Sequence, residues 1–382
     1  MIGGKAIAAG GFGCIFKPAL LCKTKKKIPS GVSKLMTYDD TETEYLMLTD
    51  IIDKVRSVPM YDRYFALSDI FMCKPKKITE QQFKGFNKTC KNFTKRNITK
   101  SDINKNISEY GILNMPDNGI ELTHVLNKLQ TASDVIKINN SLIELFKNGI
   151  VKMNNRGVYH TDIKTSNILV KNGRPRLIDW GSALITKNYN PKHDGRPIQY
   201  NQPTTIILVN PRFLRTYEDF LRANKITDKL THNSLEKLAV LLKSTLLNSS
   251  FTGHLDVLVE IYGTFTRKND VSRNKKEVLK TIVNYLMKVL YKHTNKGRFN
   301  ATKYFHDIFL HNCDIIGFLS CYENIFIWLR KNKFILPALY LKKVYLRHMF
   351  DISVDKFSVN RVIRQLNKLN TLILNKTKKM NR

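Results

Sequence analysis

Two stretches decide the fold: Gly157-Val158-Tyr159-His160-Thr161-Asp162-Ile163-Lys164-Thr165-Ser166-Asn167-Ile168-Leu169-Val170 and Arg176-Leu177-Ile178-Asp179-Trp180-Gly181. The first is a polar loop that runs into an apolar strand, and the second is an apolar strand that ends in Asp. The intervening Lys171-Asn172-Gly173 is typical of a hairpin turn. The hairpin is expected to bring four polar side chains together: Asp162, Lys164, Asn167 and Asp179.

These four side chains suit the transfer of a phosphoryl group from ATP. One carboxylate can orient the attacking hydroxyl, and one cation can neutralise charge on the transferring group. An Asn and a second carboxylate supply the oxygen ligands that Mg²⁺ prefers. The pattern therefore predicts phosphotransfer chemistry with ATP and Mg²⁺, and Mn²⁺ could replace Mg²⁺.

His-Thr-Asp-Ile-Lys-Thr-Ser-Asn at 160–167, followed by Asp-Trp-Gly at 179–181, resembles the catalytic loop and metal triplet of eukaryotic-type protein kinases. The resemblance implies an α+β, bilobal fold with a small β-rich N-lobe and a large helical C-lobe. It implies that Asp162 and Lys164 are catalytic and that Asn167 and Asp179 bind the metal. Lysine two positions after the aspartate is typical of serine/threonine kinases.

A glycine-rich turn near the start of the chain, within residues 7–17, is flanked by two predicted strands. Glycines let backbone N–H groups approach a polyphosphate closely. Against the kinase pattern Gly-x-Gly-x-x-Gly-x-Val, an alanine replaces the first glycine and an isoleucine replaces the valine. The resemblance assigns these residues to ATP: Ala8, Gly10, Gly11, Phe12, Gly13 and Ile15.

Lys34 lies on a predicted strand, Val32 to Leu35, that resembles the kinase strand whose lysine contacts the α and β phosphates. The lysines at 25–27 are rivals for that role. A helix is predicted from Asp39, and its partner for Lys34 is expected to be Glu44. Glu42 is the alternative, but residues two apart point to different faces of a helix, so one of them can serve.

A basic segment, residues 74–106, is predicted to be a solvated insertion because it carries ten Lys/Arg against two Asp/Glu. Three phenylalanines interleave with its lysines, an arrangement that could also suit nucleic-acid contact. The strand at 110–115 follows, and the kinase resemblance makes it the hinge. Helices are predicted for 122–130 and 132–153.

The segment after Gly181 departs from the kinase pattern. No Ala-Pro-Glu triplet follows, and residues 202–206 are expected to stand in its place. Thr161 replaces the arginine that commonly precedes the catalytic aspartate, which argues against activation by loop phosphorylation. Asp314 is expected either to brace the catalytic loop or to be an ordinary helix-start residue. Residues about 210–305 are predicted to be a helical insertion.

Composition limits the partners and the compartment. Lys and Arg number 64 against 31 Asp and Glu, a net charge of +33, which favours acidic protein substrates, nucleic acid or another anionic surface. The six cysteines show no metal-site spacing and are expected to be free thiols in a reducing compartment. Neither a signal peptide nor a membrane-spanning segment is expected.

The predicted boundaries are an N-lobe at 1–116 and a C-lobe at 117–382, with the catalytic loop at 158–170 and basic helices at the C-terminus. The departures from the pattern are similar to those of divergent serine/threonine kinases of large DNA viruses. A location in the host-cell cytoplasm, or in the virion, follows from that similarity. Two alternatives stay open: a small-molecule phosphotransferase resembling aminoglycoside or choline kinases, and a catalytically inactive basic binding protein.

Overall fold

The computed structural model describes residues 4–9, 13–24, 28, 30–186, 195–266, 270–350 and 354–380. The protein is mixed α+β, with a small β-sheet region near the N-terminus and a larger helical part. The chain divides into two compact units. Unit 1 comprises Met1–Ile120 and Leu169–Gly181, and unit 2 comprises Glu121–Ile168 and Ser182–Arg382.

The strands are β1 (Lys5–Ala9), β2 (Cys14–Lys17), β3 (Val32–Thr37), β4 (Phe71–Cys73), β5 (Tyr110–Met115), β6 (Ile120–Glu121), β7 (Val158–Tyr159), β8 (Ile168–Lys171), β9 (Arg174–Leu177), β10 (Leu184–Ile185), β11 (Thr294–Asn295) and β12 (Arg298–Phe299).

The α-helices are α1 (Tyr38–Val55), α2 (Tyr61–Tyr64), α3 (Phe86–Thr89), α4 (Lys91–Thr94), α5 (Lys100–Lys105), α6 (Leu122–Asn127), α7 (Ala132–Glu144), α8 (Val151–Asn154), α9 (Pro211–Ala223), α10 (His232–Leu247), α11 (Ser249–Thr252), α12 (Leu255–Thr266), α13 (Val271–His293), α14 (Ala301–Tyr304), α15 (Leu310–Ser320), α16 (Glu323–Lys331), α17 (Ile335–Met349) and α18 (Val359–Met380). Short 3₁₀ and π-helical turns complete the helical part: Ile107–Glu109, Leu145–Ile150, Thr165–Asn167, Thr204–Val209 and Phe305–Phe309.

Unit 1 contains a five-stranded antiparallel sheet with the order β1-β2-β3-β5-β4. Strand β3 lies at its centre, where Lys34 is opposite Ile15 of β2 and Leu113 of β5. The strands expected at 32–35 and 110–115 are therefore confirmed, and β3 extends two residues further than expected.

Helix α1 packs against β5 and β3. It begins after Thr37, whose side chain accepts a hydrogen bond from the N–H of Asp40, and acidic residues in its first turn suit the positive end of the helix. Gly111 of β5 makes the close packing possible, since a Cβ there would lie 2.5 Å from the hydroxyl of Thr41. The missing side chain at Gly111 therefore lets α1 pack closely on the sheet.

Two disulfides correct the expectation of six free thiols: Cys14–Cys90 and Cys22–Cys73. The paired residues are separated by 76 and 51 positions, so no short spacing marks them in the sequence. The other two cysteines, Cys313 and Cys321, lie outside these disulfides, and both are buried in unit 2.

The basic segment 74–106 is not the solvated loop that its charge suggested. It contains α3, α4 and α5, and its three phenylalanines are buried in the core of unit 1 with Phe16 of β2. Phe83, Phe86 and Phe93 are at most 4% exposed, so they cannot stack on nucleic-acid bases. The shortness of these helices explains the missed pattern, because a four-residue helix shows no periodicity.

Helix α15 lies in the interior of unit 2, with ten of its eleven residues buried. Helix α7 starts with a capping box between Thr131 and Asp134 and continues without a break through the π-helical turn into α8. Asn139 of α7 ties the C-terminal helix in place, because its Nδ2 donates to Oδ1 of Asn370 at 2.7 Å. The apolar stripe of α18 is buried: Val362, Leu366, Leu369 and Ile373.

Residues 210–305 are largely helical, as predicted, and contain α9 to α13 within their described part. Leu238 and Leu242 of α10 face the interior. Among the described residues, no helix has the length and apolar character needed to cross a membrane.

Candidate functional site

Asp162 in unit 2 is surrounded by the polar side chains of its own loop. Its Oδ2 atom accepts hydrogen bonds from Nζ of Lys164 at 2.8 Å and from Nδ2 of Asn167 at 2.9 Å. Nδ2 of Asn167 also donates to the backbone carbonyl of Asp162 at 2.8 Å. The structure therefore brings these three predicted residues together, with Asn167 on a 3₁₀ turn immediately before β8.

The carboxylate of Asp314 accepts hydrogen bonds from two backbone N–H groups of this loop. Its Oδ2 accepts the N–H of His160 at 2.9 Å and its Oδ1 accepts the N–H of Thr161 at 2.8 Å. Complete burial raises the pKa of Asp314, and the two N–H groups oppose that shift. The bracing role is thus confirmed, whereas the helix-start alternative is wrong because the continuous helix begins earlier, at Ala301.

Gly317 lets α15 approach the loop that carries Asp162. A Cβ at this position would lie 2.8 Å from the carbonyl oxygen of Ile163 and 3.1 Å from that of Asn201. The contact with Ile163 could not form without a shift of the backbone, and the contact with Asn201 would be tighter than most side chains show. The glycine therefore sets how closely these three segments of unit 2 can pack.

Two further residues, which no sequence pattern marks as part of the site, contact this loop. Nδ2 of Asn201 donates to Oδ1 of Asp162 at 2.8 Å, and Nε2 of Gln202 donates to the carbonyl oxygen of Thr161. Gln202 was expected only as the start of a replacement for Ala-Pro-Glu. Buried amides in a loop carry no sequence signal of their own, so only the fold could reveal these contacts.

Unit 1 contains the predicted ion pair of Lys34 and Glu44, with Nζ and Oε2 2.5 Å apart. The two side chains are only 11% and 21% exposed. Glu42 is exposed on another face of α1, so the rival pairing is wrong. Burial on the central strand means that the lysine needs this carboxylate, since an unpaired buried charge is costly.

The glycine turn is described only in part. Ala8 is half-buried and faces Ile15 across β1 and β2, while Gly10, Gly11 and Phe12 lie outside the described residues.

Gly13 is buried and packs on the sheet itself, since a Cβ there would lie 2.4 Å from the carbonyl oxygen of Leu35. Its lack of a side chain is therefore required by the fold of unit 1.

Asp179 follows the predicted hairpin, which is confirmed: β8 and β9 are joined at Asn172 and Gly173, both with positive φ. Asp179 itself has a φ of +61°, an uncommon value for a residue other than glycine, and it is exposed. The next residue, Trp180, anchors the turn by packing edge-on against Phe65, with ring centroids 5.5 Å apart.

Asn167 and Asp179, the two predicted metal ligands, each carry an oxygen of the type that Mg²⁺ prefers. In unit 2, Nδ2 of Asn167 donates to Asp162, and its Oδ1 is the amide atom suited to a metal. In unit 1, Asp179 is exposed and carries a carboxylate.

Comparison with known proteins leaves the chain without an assigned family. No family model matches it, and no curated protein matches it either. Its function therefore has to be inferred from the residues and contacts described above.

Proposed function

We propose that this chain is an ATP-dependent serine/threonine protein kinase. The contact of Asp162 with both Lys164 and Asn167 carries the proposal, because it brings a carboxylate, an ammonium group and a side-chain amide together at one point. Phosphoryl transfer depends mostly on positioning and electrostatic stabilisation, and these three groups can provide both.

In the proposed reaction, Asp162 orients the substrate hydroxyl and accepts its proton. Lys164 neutralises charge on the γ-phosphoryl group. Asn167 and Asp179 would hold Mg²⁺, which, when bound, neutralises charge on the phosphate oxygens. Asp162 can keep its orientation because Oδ2 is fixed by two donors while part of the carboxylate remains accessible: the side chain is 24% exposed.

Unit 1 supplies the groups assigned to the ATP phosphates. Lys34, held by Glu44, would contact the α and β phosphates through its ammonium group. The turn between β1 and β2, with Ala8, Gly13 and Ile15 in its described part, would cover the phosphates. The five-stranded antiparallel sheet with α1, together with a mainly helical unit 2, supports a protein-kinase-like fold.

Lys164 favours a protein substrate over the small-molecule alternative. Small-molecule kinases that resemble this chain at His-x-Asp and Asn usually lack a lysine at its position. Here the lysine contacts the proposed catalytic carboxylate directly. The net charge of +33 adds a preference for acidic protein substrates.

A labelling assay with purified full-length chain, Mg²⁺ and radiolabelled ATP tests the proposal. Casein, as an acidic protein, is expected to be labelled, whereas choline and aminoglycosides are not. Labelling of the small molecules alone would favour the alternative phosphotransferase. No transfer to any acceptor, together with retention of nucleic acid that ignores ATP, would favour the inactive binding protein.

A further inference from the structure

The side-chain amides of two consecutive residues donate hydrogen bonds to three consecutive residues of the catalytic loop in unit 2. Nδ2 of Asn201 donates to Oδ1 of Asp162 at 2.8 Å and to the carbonyl oxygen of Ile163 at 3.1 Å. Nε2 of Gln202 donates to the carbonyl oxygen of Thr161. Both amide residues are almost fully buried, at 2% and 4% exposure, so water competes little for these bonds.

The contact from Asn201 completes the hydrogen bonding of the Asp162 carboxylate. Oδ2 is fixed by Lys164 and Asn167, but these donors alone leave Oδ1 without a described partner. Asn201 occupies one acceptor position on Oδ1 and leaves another for an incoming hydroxyl. The carboxylate is thus held at both oxygens and cannot rotate freely about its terminal bond.

Gln202 acts on the backbone of the same loop. Thr161 has a φ of +57°, which is sterically unfavourable for a β-branched residue. Its three polar groups are all engaged: the N–H donates to Asp314, the hydroxyl donates to the carbonyl oxygen of Ser182 at 2.6 Å, and the carbonyl accepts from Gln202.

We propose that Asn201 and Gln202 form a positioning pair that holds Asp162 in its reactive orientation. The role rests on the proposed phosphotransfer function, because it is the orientation of the catalytic carboxylate that the pair controls. Neither residue is expected to touch ATP, so loss of the pair should lower kcat and leave the KM for ATP nearly unchanged.

Initial rates with casein and Mg-ATP test the pair. Asn201→Ala is expected to lower kcat about 10- to 100-fold while the KM for ATP changes less than about threefold. Asn201→Asp keeps the side-chain volume but turns a carboxylate toward Asp162, so its loss should be larger still. Gln199→Ala, a half-buried amide of the same segment, is the matched control and should keep the wild-type rate.

Two outcomes would overturn the positioning role: an Asn201→Asp enzyme more active than Asn201→Ala, which indicates a volume effect only, or a loss confined to KM.

Amide hydrogen exchange tests the positioning pair independently of the proposed phosphotransfer function. Exchange across residues 160–163 should be about tenfold faster or more in Asn201→Ala and Gln202→Ala than in Gln199→Ala. If wild type transfers no phosphate, the proposed function is wrong, and the exchange data still decide whether the pair holds the loop. Unchanged exchange in both variants would overturn the pair whatever the activity.

Discussion

Lys34 and Glu44 form a close ion pair in unit 1, with Nζ and Oε2 2.5 Å apart and both side chains largely shielded from water. Lys34 lies on the central strand of the sheet, and Glu44 reaches it from α1. Removing Glu44 and removing Lys34 are expected to have different effects on stability. Without the glutamate a buried ammonium group loses its partner, whereas without the lysine a more exposed carboxylate can gain water.

Glu44→Gln is therefore expected to lower the free energy of unfolding by about 1–3 kcal/mol, and Lys34→Met by less than about 1 kcal/mol. Both should reduce phosphotransfer by about 100-fold or more, since the lysine is assigned to the phosphates. Chemical denaturation and initial rates measure the two effects. Lys5→Met, at an exposed position on β1 of the same sheet, is the control. Full activity of Lys34→Met would refute the assignment.

Asp314 is expected to be essential for the structure of the catalytic loop. Asp314→Ala leaves two buried N–H groups without their acceptor and should cost about 2–4 kcal/mol of unfolding free energy. Asp307→Asn on the preceding turn serves as the control, because its carboxylate pairs with Lys303 at the surface and should be worth less than about 0.5 kcal/mol. Equal losses for the two variants, measured by urea unfolding, would contradict the bracing role.

Asp117 is expected to make the stability of unit 1 depend on pH in the acid range. Burial alone would raise its pKa, but the Lys17 ammonium at 2.7 Å, the N–H of Gly119 and the charge of Lys171 together hold the pKa below 3.8. A carboxyl group with a lowered folded-state pKa stabilises the fold above its unfolded pKa, and that stabilisation is lost as the pH falls through the folded value.

The difference in unfolding free energy between wild type and Asp117→Asn should therefore be constant above about pH 5.5 and shrink below about pH 4. Its size should stay under about 1 kcal/mol, because Lys17 is 40% exposed. Denaturation across pH 3.5–7 measures it, with the exposed Asp50→Asn of α1 as the control. A difference that grows as the pH falls would show that the sign is wrong.

The two disulfides can be tested without an activity assay. Alkylation of the denatured, unreduced chain should modify two thiols, those of Cys313 and Cys321, and after reduction all six. Cys14→Ser should lower the stability of unit 1 by about 2–4 kcal/mol, since the bond closes a long loop. Peptide mapping should recover Cys14 joined to Cys90. Six reactive thiols before reduction would contradict the pairing.

The features predicted correctly from sequence are those encoded locally. Asp162, Lys164 and Asn167 lie within six consecutive residues, so a loop and a strand suffice to bring them together. Helical geometry points Glu42 and Glu44 to different faces, so that only one of them could pair with Lys34. The strands and the hairpin turn follow from turn chemistry and apolar patterns in the same way.

The features missed depend on distant parts of the chain meeting. Asn201 reaches Asp162 across 39 positions, and Cys14 pairs with Cys90 across 76. Phe83, Phe86 and Phe93 lie on or beside helices too short to show a period, so their burial was hidden by the surrounding lysines. Tertiary packing, rather than local preference, decided each of these cases.

The rate of phosphotransfer by Asp162→Asn tests the central claim most directly. The substitution keeps the size of the side chain and removes the carboxylate that is proposed to accept the substrate proton, while Asp256→Asn at an exposed position of unit 2 serves as the control. With folding of both variants confirmed by thermal denaturation, Asp162→Asn should label casein at least about 1,000-fold more slowly than wild type, and the control should be unchanged. Labelling by Asp162→Asn within about tenfold of the wild-type rate would contradict the account.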